Sequence, residues 1–493
     1  MCLDAAPYSK AWYGKTGASP RRRKKIRHPP EAVADAEGPV PQSVRFAYAT
    51  GAIAYGIKDN GFSVFLLLFY NQIIGLDAGM VGLMLFFALV ADAIIDPSVG
   101  HLTDRTRSRW GRRHPWLYAS ALPIAGFWIL LWMPPEASDA VQYAWLFVFA
   151  MLVRMSLSLN EVPSVALAPE MTPDYHERTA LLGLRSLLGW TGGLIILALA
   201  FGLFRLADPE HASRDDFFAY AVTGAAIMFI TVMTSALGTH RRFARPVSGE
   251  VHHPGLRDML EVARFRPYQI LLLAFFFAFA NQGVTFALSS YLLAFVWKLG
   301  PTEQVVYSLV LFFGVATALV LARKAGLVWG KRITAMRLVV VGNVIGVLPY
   351  ALVVLGWFPT TGTTAATAIY FGLVILSTGA GIAVMITALS MMADVTTAYQ
   401  EQSGKAQEGT FFAGYFFTQK CVTGVGILLS GQVLRLIDFP ANARPDTVPT
   451  TVIDSLALLY VILTLCFGLA TAWALSRFPI DRKPDAVHVE TVR

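Results

Sequence analysis

Twelve long apolar runs, separated by short polar or basic stretches, organise the chain from residue 46 to residue 476. They fall at about 46–74, 78–102, 115–134, 141–167, 180–205, 217–238, 268–296, 303–323, 334–357, 364–392, 409–436 and 451–476. A hydrocarbon core takes about 20 helical residues to cross, so each run predicts one membrane span. The intervening stretches alternate in charge. Loops 71–79, 134–140 and 356–364 hold no Lys or Arg. Loop 103–114 holds Arg105, Arg107, Arg109, Arg112 and Arg113; loops 239–267 and 323–337 are similarly basic. Positive loops stay on the cytoplasmic side, which predicts both termini there. The fold expected is an all-α polytopic membrane protein of twelve transmembrane helices in two six-helix bundles.

Composition agrees with this pattern. Of 493 residues, 55% are hydrophobic and only 15% charged, and the mean hydropathy is +0.54. The net charge of +8 is what positive loops produce and carries no indication of nucleic-acid binding. Cys2, Cys421 and Cys466 are too scattered for a disulfide framework or a metal site. Residues 1–43 lack the apolar core of a signal peptide and carry the basic cluster Arg21 to Arg27, which reads as a disordered cytoplasmic tail. The predicted organisation is that tail, a six-helix bundle at 44–238, a central cytoplasmic loop at 239–267, a second bundle at 268–477 and a short tail at 478–493. Within the central loop, GLRDMLEVARFRP reads as a short interfacial helix. The setting implied is a plasma (inner) membrane, and the chain is expected to act as a monomer.

Ionisable residues inside the apolar runs are the candidate chemistry. Asp92 and Asp96 lie four residues apart in LVADAIIDPSVGHLTDR, so both point from one helix face; the following Pro97 is expected to kink that helix. A carboxylate at bilayer depth costs about 2.5–3.5 kcal/mol on insertion scales. Two of them, one turn apart, persist by facing a polar cavity and receiving a proton, a metal ion or a basic side chain. No His, Cys or Asp group has the spacing of a nucleophile–base pair or metal cluster, so neither an enzyme nor a cofactor is expected.

Several stretches resemble a known family. Six spans, a central loop and six more spans, with Gly100-x-x-x-Asp104-Arg105 in the second loop, resemble the major facilitator superfamily, in which two pseudo-symmetric halves rock about a mid-membrane site. Gly100, Asp104 and Arg105 then belong to the gating loop that latches helix ends. DAIIDPSVGHLTDRTRSRWGRRHPW, YGIKDNG at 55–61, NEVPSVALAPEMTPDYHERTALLGLRSLLGW at 160–190 and MMADVTTAYQEQSGKAQEGTFFAGYFFTQK at 391–420 resemble the glycoside–pentoside–hexuronide:cation symporters. That resemblance implies cation binding by Asp92 and Asp96 with the hydroxyl of Ser158. It implies sugar binding by Asp59, Glu161 and Arg185, with Lys58 beside Asp59 and Lys420 reaching across from the second half. The implied partners are a sugar or glycoside, a proton or sodium ion, and the lipid bilayer.

Three departures from the family pattern shape the expectation. Ile95 stands where the sodium-coupled members carry an Asn, removing an oxygen from any sodium site. Two carboxylates can still share a proton, which relieves their repulsion, so proton coupling is expected over sodium, with Asp92 and Asp96 the metal ligands only if sodium is used. Leu157 and Val165 replace aromatic pocket residues, and Glu161 replaces an Asp. A carrier of lysophospholipids or other amphiphiles is the alternative on the same fold. A non-transporting membrane sensor is the alternative of another class.

Overall fold

The computed structural model describes residues 39–172, 174–208, 211–244, 261–405, 407–444 and 447–480. The described chain is helical throughout, and twelve of its helices are long and apolar enough to cross a membrane. They are α1 (Gln42–Ile73), α2 (Ala78–Arg105), α3 (His114–Leu131), α4 (Asp139–Met171), α5 (Tyr175–Gly202) and α6 (Arg214–Phe243). The second set is α7 (Arg266–Val296), α8 (Pro301–Trp329), α9 (Lys331–Val354), α10 (Thr364–Ser403), α11 (Glu408–Leu436) and α12 (Thr450–Ser476). The basic cluster at 21–27, residues 255–260 of the expected interfacial helix and residues 481–493 lie outside the described residues.

Local chemistry sets the helix ends. Asp77 caps α2 by accepting the Met80 N–H at 2.9 Å, and Asp174 caps α5 by accepting the Glu177 N–H at 2.7 Å. Ser213 and Asp216 close a reciprocal capping box on α6. α2 runs unbroken through Pro97, where the sequence predicted a kink. Some helices also outlast their apolar runs. α4 continues to Met171 and α10 to Ser403, past the hydropathic edges at 167 and 392.

Backbones approach closely where side chains are small. A Cβ on Gly431 of α11 would strike the Ala78 carbonyl of α2, and one on Gly56 of α1 would strike the Gly189 carbonyl of α5. Such small-residue seams are the usual means of helix association in lipid, where burial of apolar surface gives little drive. Asn281 of α7 adds a polar clasp by donating to Oδ1 of Asn343 on α9 at 2.9 Å.

The two six-helix sets repeat each other in detail. α1 ends on a wide turn at Phe69–Ile73 and α7 on one at Leu292–Val296. Each then passes through a left-handed residue, Gly75 (φ 95°) or Lys298 (φ 51°). At the basic end, Arg113 pairs with Asp104 at 2.5 Å and with Glu170 of α4 at 3.0 Å; Arg112 also reaches Glu170, at 2.8 Å. Arg105, expected in this latch, is exposed. The contact to Asp104 is made instead by Arg113, another of the five arginines of that stretch. The second set has the matching device in Lys331, which pairs with Asp394 of α10 at 2.7 Å.

The sets meet at the end opposite the basic loops. There Tyr291 donates to Asn71 at 2.9 Å, Gln72 donates to the Pro440 carbonyl at 3.1 Å and accepts the Ala443 N–H at 2.9 Å. Gln304 donates to the Ala207 carbonyl at 3.2 Å. That end is closed.

Candidate functional site

Below the closed end, α1, α2, α4, α5 and α11 bring ionisable side chains together in the middle of the bundle. α2 supplies Asp92 and Asp96 from one face. α4 supplies Arg154, Ser158 and Glu161, at spacings of four and three residues that form one stripe on a helix. α11, from the other half of the chain, supplies Lys420.

Asp92 is 2% exposed and takes most of the donors. Arg154 gives Nε and Nη2 to its Oδ2 at 3.0 and 2.9 Å, and Lys420 Nζ stands 3.0 Å from the same oxygen. The Ser158 hydroxyl lies 2.9 Å from its Oδ1. Asp96 is more open, its side chain 25% exposed. Its Oδ1 lies 2.5 Å from the Ser158 hydroxyl and its Oδ2 is 2.5 Å from Lys420 Nζ. One serine therefore bridges both carboxylates, and one lysine of the second half reaches both acids of the first. Buried charges are expected to be paired in this way.

The remaining candidates surround this cluster. Lys58 is buried and pairs with Asp59 at 2.6 Å, while the Asp59 carboxylate is largely exposed. The Lys58 charge acts on Asp92. Glu161 is half-buried, and its charge acts on Lys420 and on Arg185. Arg185 of α5 lays its guanidinium 4.8 Å from the centre of the Tyr55 ring. Its Nε and Nη2 are buried and have no hydrogen-bond partner among the described residues. Gly100 and Asp104 sit away from the cluster, at the basic end of α2.

All eight sequence-based candidates for the cation and the sugar thus fall on the five helices that meet here. Leu157, expected to line a pocket, is instead 1% exposed in the apolar core, because it lies one residue off the Arg154–Ser158–Glu161 stripe. Val165 is exposed. Asn160 serves as packing glue, accepting from Tyr55 at 2.6 Å and donating to Ser120 at 2.9 Å. Arg154 is missing from the sequence-based set, although an arginine in the apolar run FAMLVRMSLSLNEV satisfies the same rule that singles out Asp92 and Asp96.

The chain is similar to known carriers. Residues 47–482 match the family model described as MFS/sugar transport protein. The isoprimeverose transporter of Lactiplantibacillus pentosus is 23% identical over 445 residues, covering 90% of each chain. The sphingosine-1-phosphate transporter of Mus musculus is 26% identical over 424 residues, covering 80% of each. Among solved structures, a bacterial homologue of the human lysosomal transporter Spinster superposes with a TM-score of 0.61 at 14% identity, covering 88% of this chain and 96% of that one. Twelve spans in two repeated sets and a family match over nearly the whole chain agree: the protein belongs to the MFS/sugar transport protein family of the major facilitator superfamily.

Proposed function

We propose that the protein is a secondary active symporter that moves a sugar or glycoside by alternating access, driven by protons. The observation that carries this reading is the reach of Lys420. It joins both acids of the first half to α11 of the second, so any change of charge on Asp92 or Asp96 alters a contact between the two halves that must rock. A ligand shifts a conformational equilibrium only through such a differential contact.

Hydrogen counting points to the proton's place. The Ser158 hydroxyl has one hydrogen, yet its oxygen stands within hydrogen-bond distance of Oδ1 on both carboxylates. Both contacts are satisfied when Ser158 donates to Asp92 and a protonated Asp96 donates to Ser158. Asp96, the more open acid, is then the group that loads and releases the proton. Loss of that proton leaves a like-charged pair that needs Lys420 more strongly, which ties the α2–α11 contact to the state of loading.

Sugar hydroxyls both donate and accept, and they are held best by charged groups that can each make two hydrogen bonds. Arg185 with its unspent Nε and Nη2, Glu161 and the exposed Asp59 carboxylate supply both kinds of partner. We place the basic loops and both termini in the cytoplasm, in a plasma membrane, by the positive-inside rule. The closed end then faces outward. The sensor reading has no specific observation in its favour.

The likeness to the sphingosine-1-phosphate transporter favours a second reading, a carrier of charged amphiphiles. Counterflow in proteoliposomes separates the two. Vesicles preloaded with single unlabelled sugars or lysolipids are tested for exchange with labelled counterparts. Exchange of at least one sugar or glycoside, absent in Arg185→Ala, is the result expected. Exchange of lysolipids alone would replace the sugar reading with the amphiphile one.

A further inference from the structure

Arg154 is a buried charged residue of the site that the transport reading leaves without a role. It is 5% exposed, stacks its guanidinium 5.1 Å from the centre of the Phe62 ring and gives Nε and Nη2 to a single oxygen of Asp92, at 3.0 and 2.9 Å. A guanidinium is planar, stays charged at any working pH and sheds its water more readily than an ammonium, so it suits a buried pairing of this kind. Lys420 brings a third N–H donor to the same oxygen at 3.0 Å. Oδ2 of Asp92 is filled.

An alkali ion seated on this acid pair would need both carboxylates and further oxygens, about five or six in all. The oxygens left for it are Oδ1 of Asp92, Oδ1 of Asp96 and the Ser158 hydroxyl. Ile95 offers none, and among the described residues no group of three or more His, Cys, Asp or Glu could hold a metal ion. Two fixed cations, Arg154 and Lys420, already contact the acid pair, and the Lys58 charge also bears on Asp92. A metal ion that draws on both acids at once would have to displace one of them. A proton goes to one oxygen and displaces neither.

We propose that Arg154 is the resident counter-cation of the α2 acid pair and occupies the place an alkali ion would take, so that the carrier neither binds nor responds to sodium or lithium. Arg154 acts through Asp92 and is in this sense a positioning residue that sets ion specificity. The proposal rests on reading the acid pair as the coupling site, but its test needs no substrate.

The purified full-length protein is melted in detergent in choline, potassium, sodium and lithium buffers of equal ionic strength. A ligand that binds the folded state raises its melting temperature with concentration. The wild type should melt at one temperature in all four. Arg154→Ala and Arg154→Gln should gain a saturable rise of several degrees specific to sodium or lithium, lost again when Asp92→Asn is added. Arg154→Lys, which keeps the charge, should stay silent. A saturable sodium response in the wild type that disappears in Asp92→Asn overturns the proposal, whether or not the Arg154 variants fold. So does a monodisperse Arg154→Ala or Arg154→Gln that remains silent to sodium. Absence of sugar exchange would bear on the transport reading and leave these melting curves untouched.

Discussion

At the residue scale, Asp92 and Asp96 lie one turn apart on α2 in different surroundings. Asp92 is enclosed by Arg154, Ser158 and Lys420, whereas Asp96 meets Ser158 and Lys420 only and is partly open. Removing one partner from a buried ion cluster strands the others, at a cost of about 3–5 kcal/mol. Asp92→Ala should therefore lower the melting temperature in detergent well below that of Asp96→Ala. Equal losses would mean that the two acids share one environment. Arg185 tests the sugar side. Hydrogen bonds to a charged group contribute about 1.5–3 kcal/mol, so Arg185→Ala should weaken sugar binding about 10- to 100-fold with little change in melting temperature. Calorimetry on the purified protein checks both. Most of this site is legible in the sequence because a charge in an apolar run is expensive and stands out. Arg154 obeys that rule, but no role implied by the resemblance to the symporter family falls on it. Leu157 fails for another reason: adjacent helix positions point about 100° apart, and a pocket-lining role cannot be assigned without knowing which stripe of α4 faces inward.

At the element scale, hydropathy reports the hydrocarbon slab and helix ends report capping chemistry, and the two disagree at both ends of several spans. α10 runs on to Gly404, whose left-handed backbone (φ 70°) stops it, far beyond the end of its apolar run. The number and order of spans are legible from the apolar runs. The seams between them are not, since a glycine in an apolar run signals close approach without naming its partner. Gly431 is such a position. Because its Cβ would meet the Ala78 carbonyl, Gly431→Val should wedge α2 from α11 at the closed end. The expected result is slowed transport and faster labelling of reporter cysteines at the closed end, while Gly372→Val, which has open space around it, should behave as wild type. Unchanged accessibility in Gly431→Val would mean the seam yields without opening. The ion pairs at the basic end show the same limit of legibility. Lys331 and Asp394 pair as Arg113 and Glu170 do, yet residues 325–332, AGLVWGKR, echo the Gly100-x-x-x-Asp104-Arg105 pattern too faintly to announce it.

At the scale of the whole molecule, the closed end and the Lys420 node are two contacts between the same halves. One must break for the halves to rock, and the other responds to charge. The seam at Gln72 and Ala443, joined by a hydrogen bond of 2.9 Å, is a direct handle on the first. Cysteines placed at both positions should be joined by a short reducible bis-thiol reagent and stop uptake, with recovery on reduction. Uptake that survives complete cross-linking would exclude rocking about this site. The central claim is that a proton on the α2 acid pair drives substrate across the membrane. Uptake of a labelled sugar panel into proteoliposomes under an imposed proton gradient tests it most directly, with a sodium gradient and Asp96→Asn run alongside. The account predicts accumulation above equilibrium with the proton gradient, none above the no-gradient level with sodium, and only downhill equilibration in Asp96→Asn. Sodium-driven accumulation, or proton-driven accumulation that persists in Asp96→Asn, would contradict it.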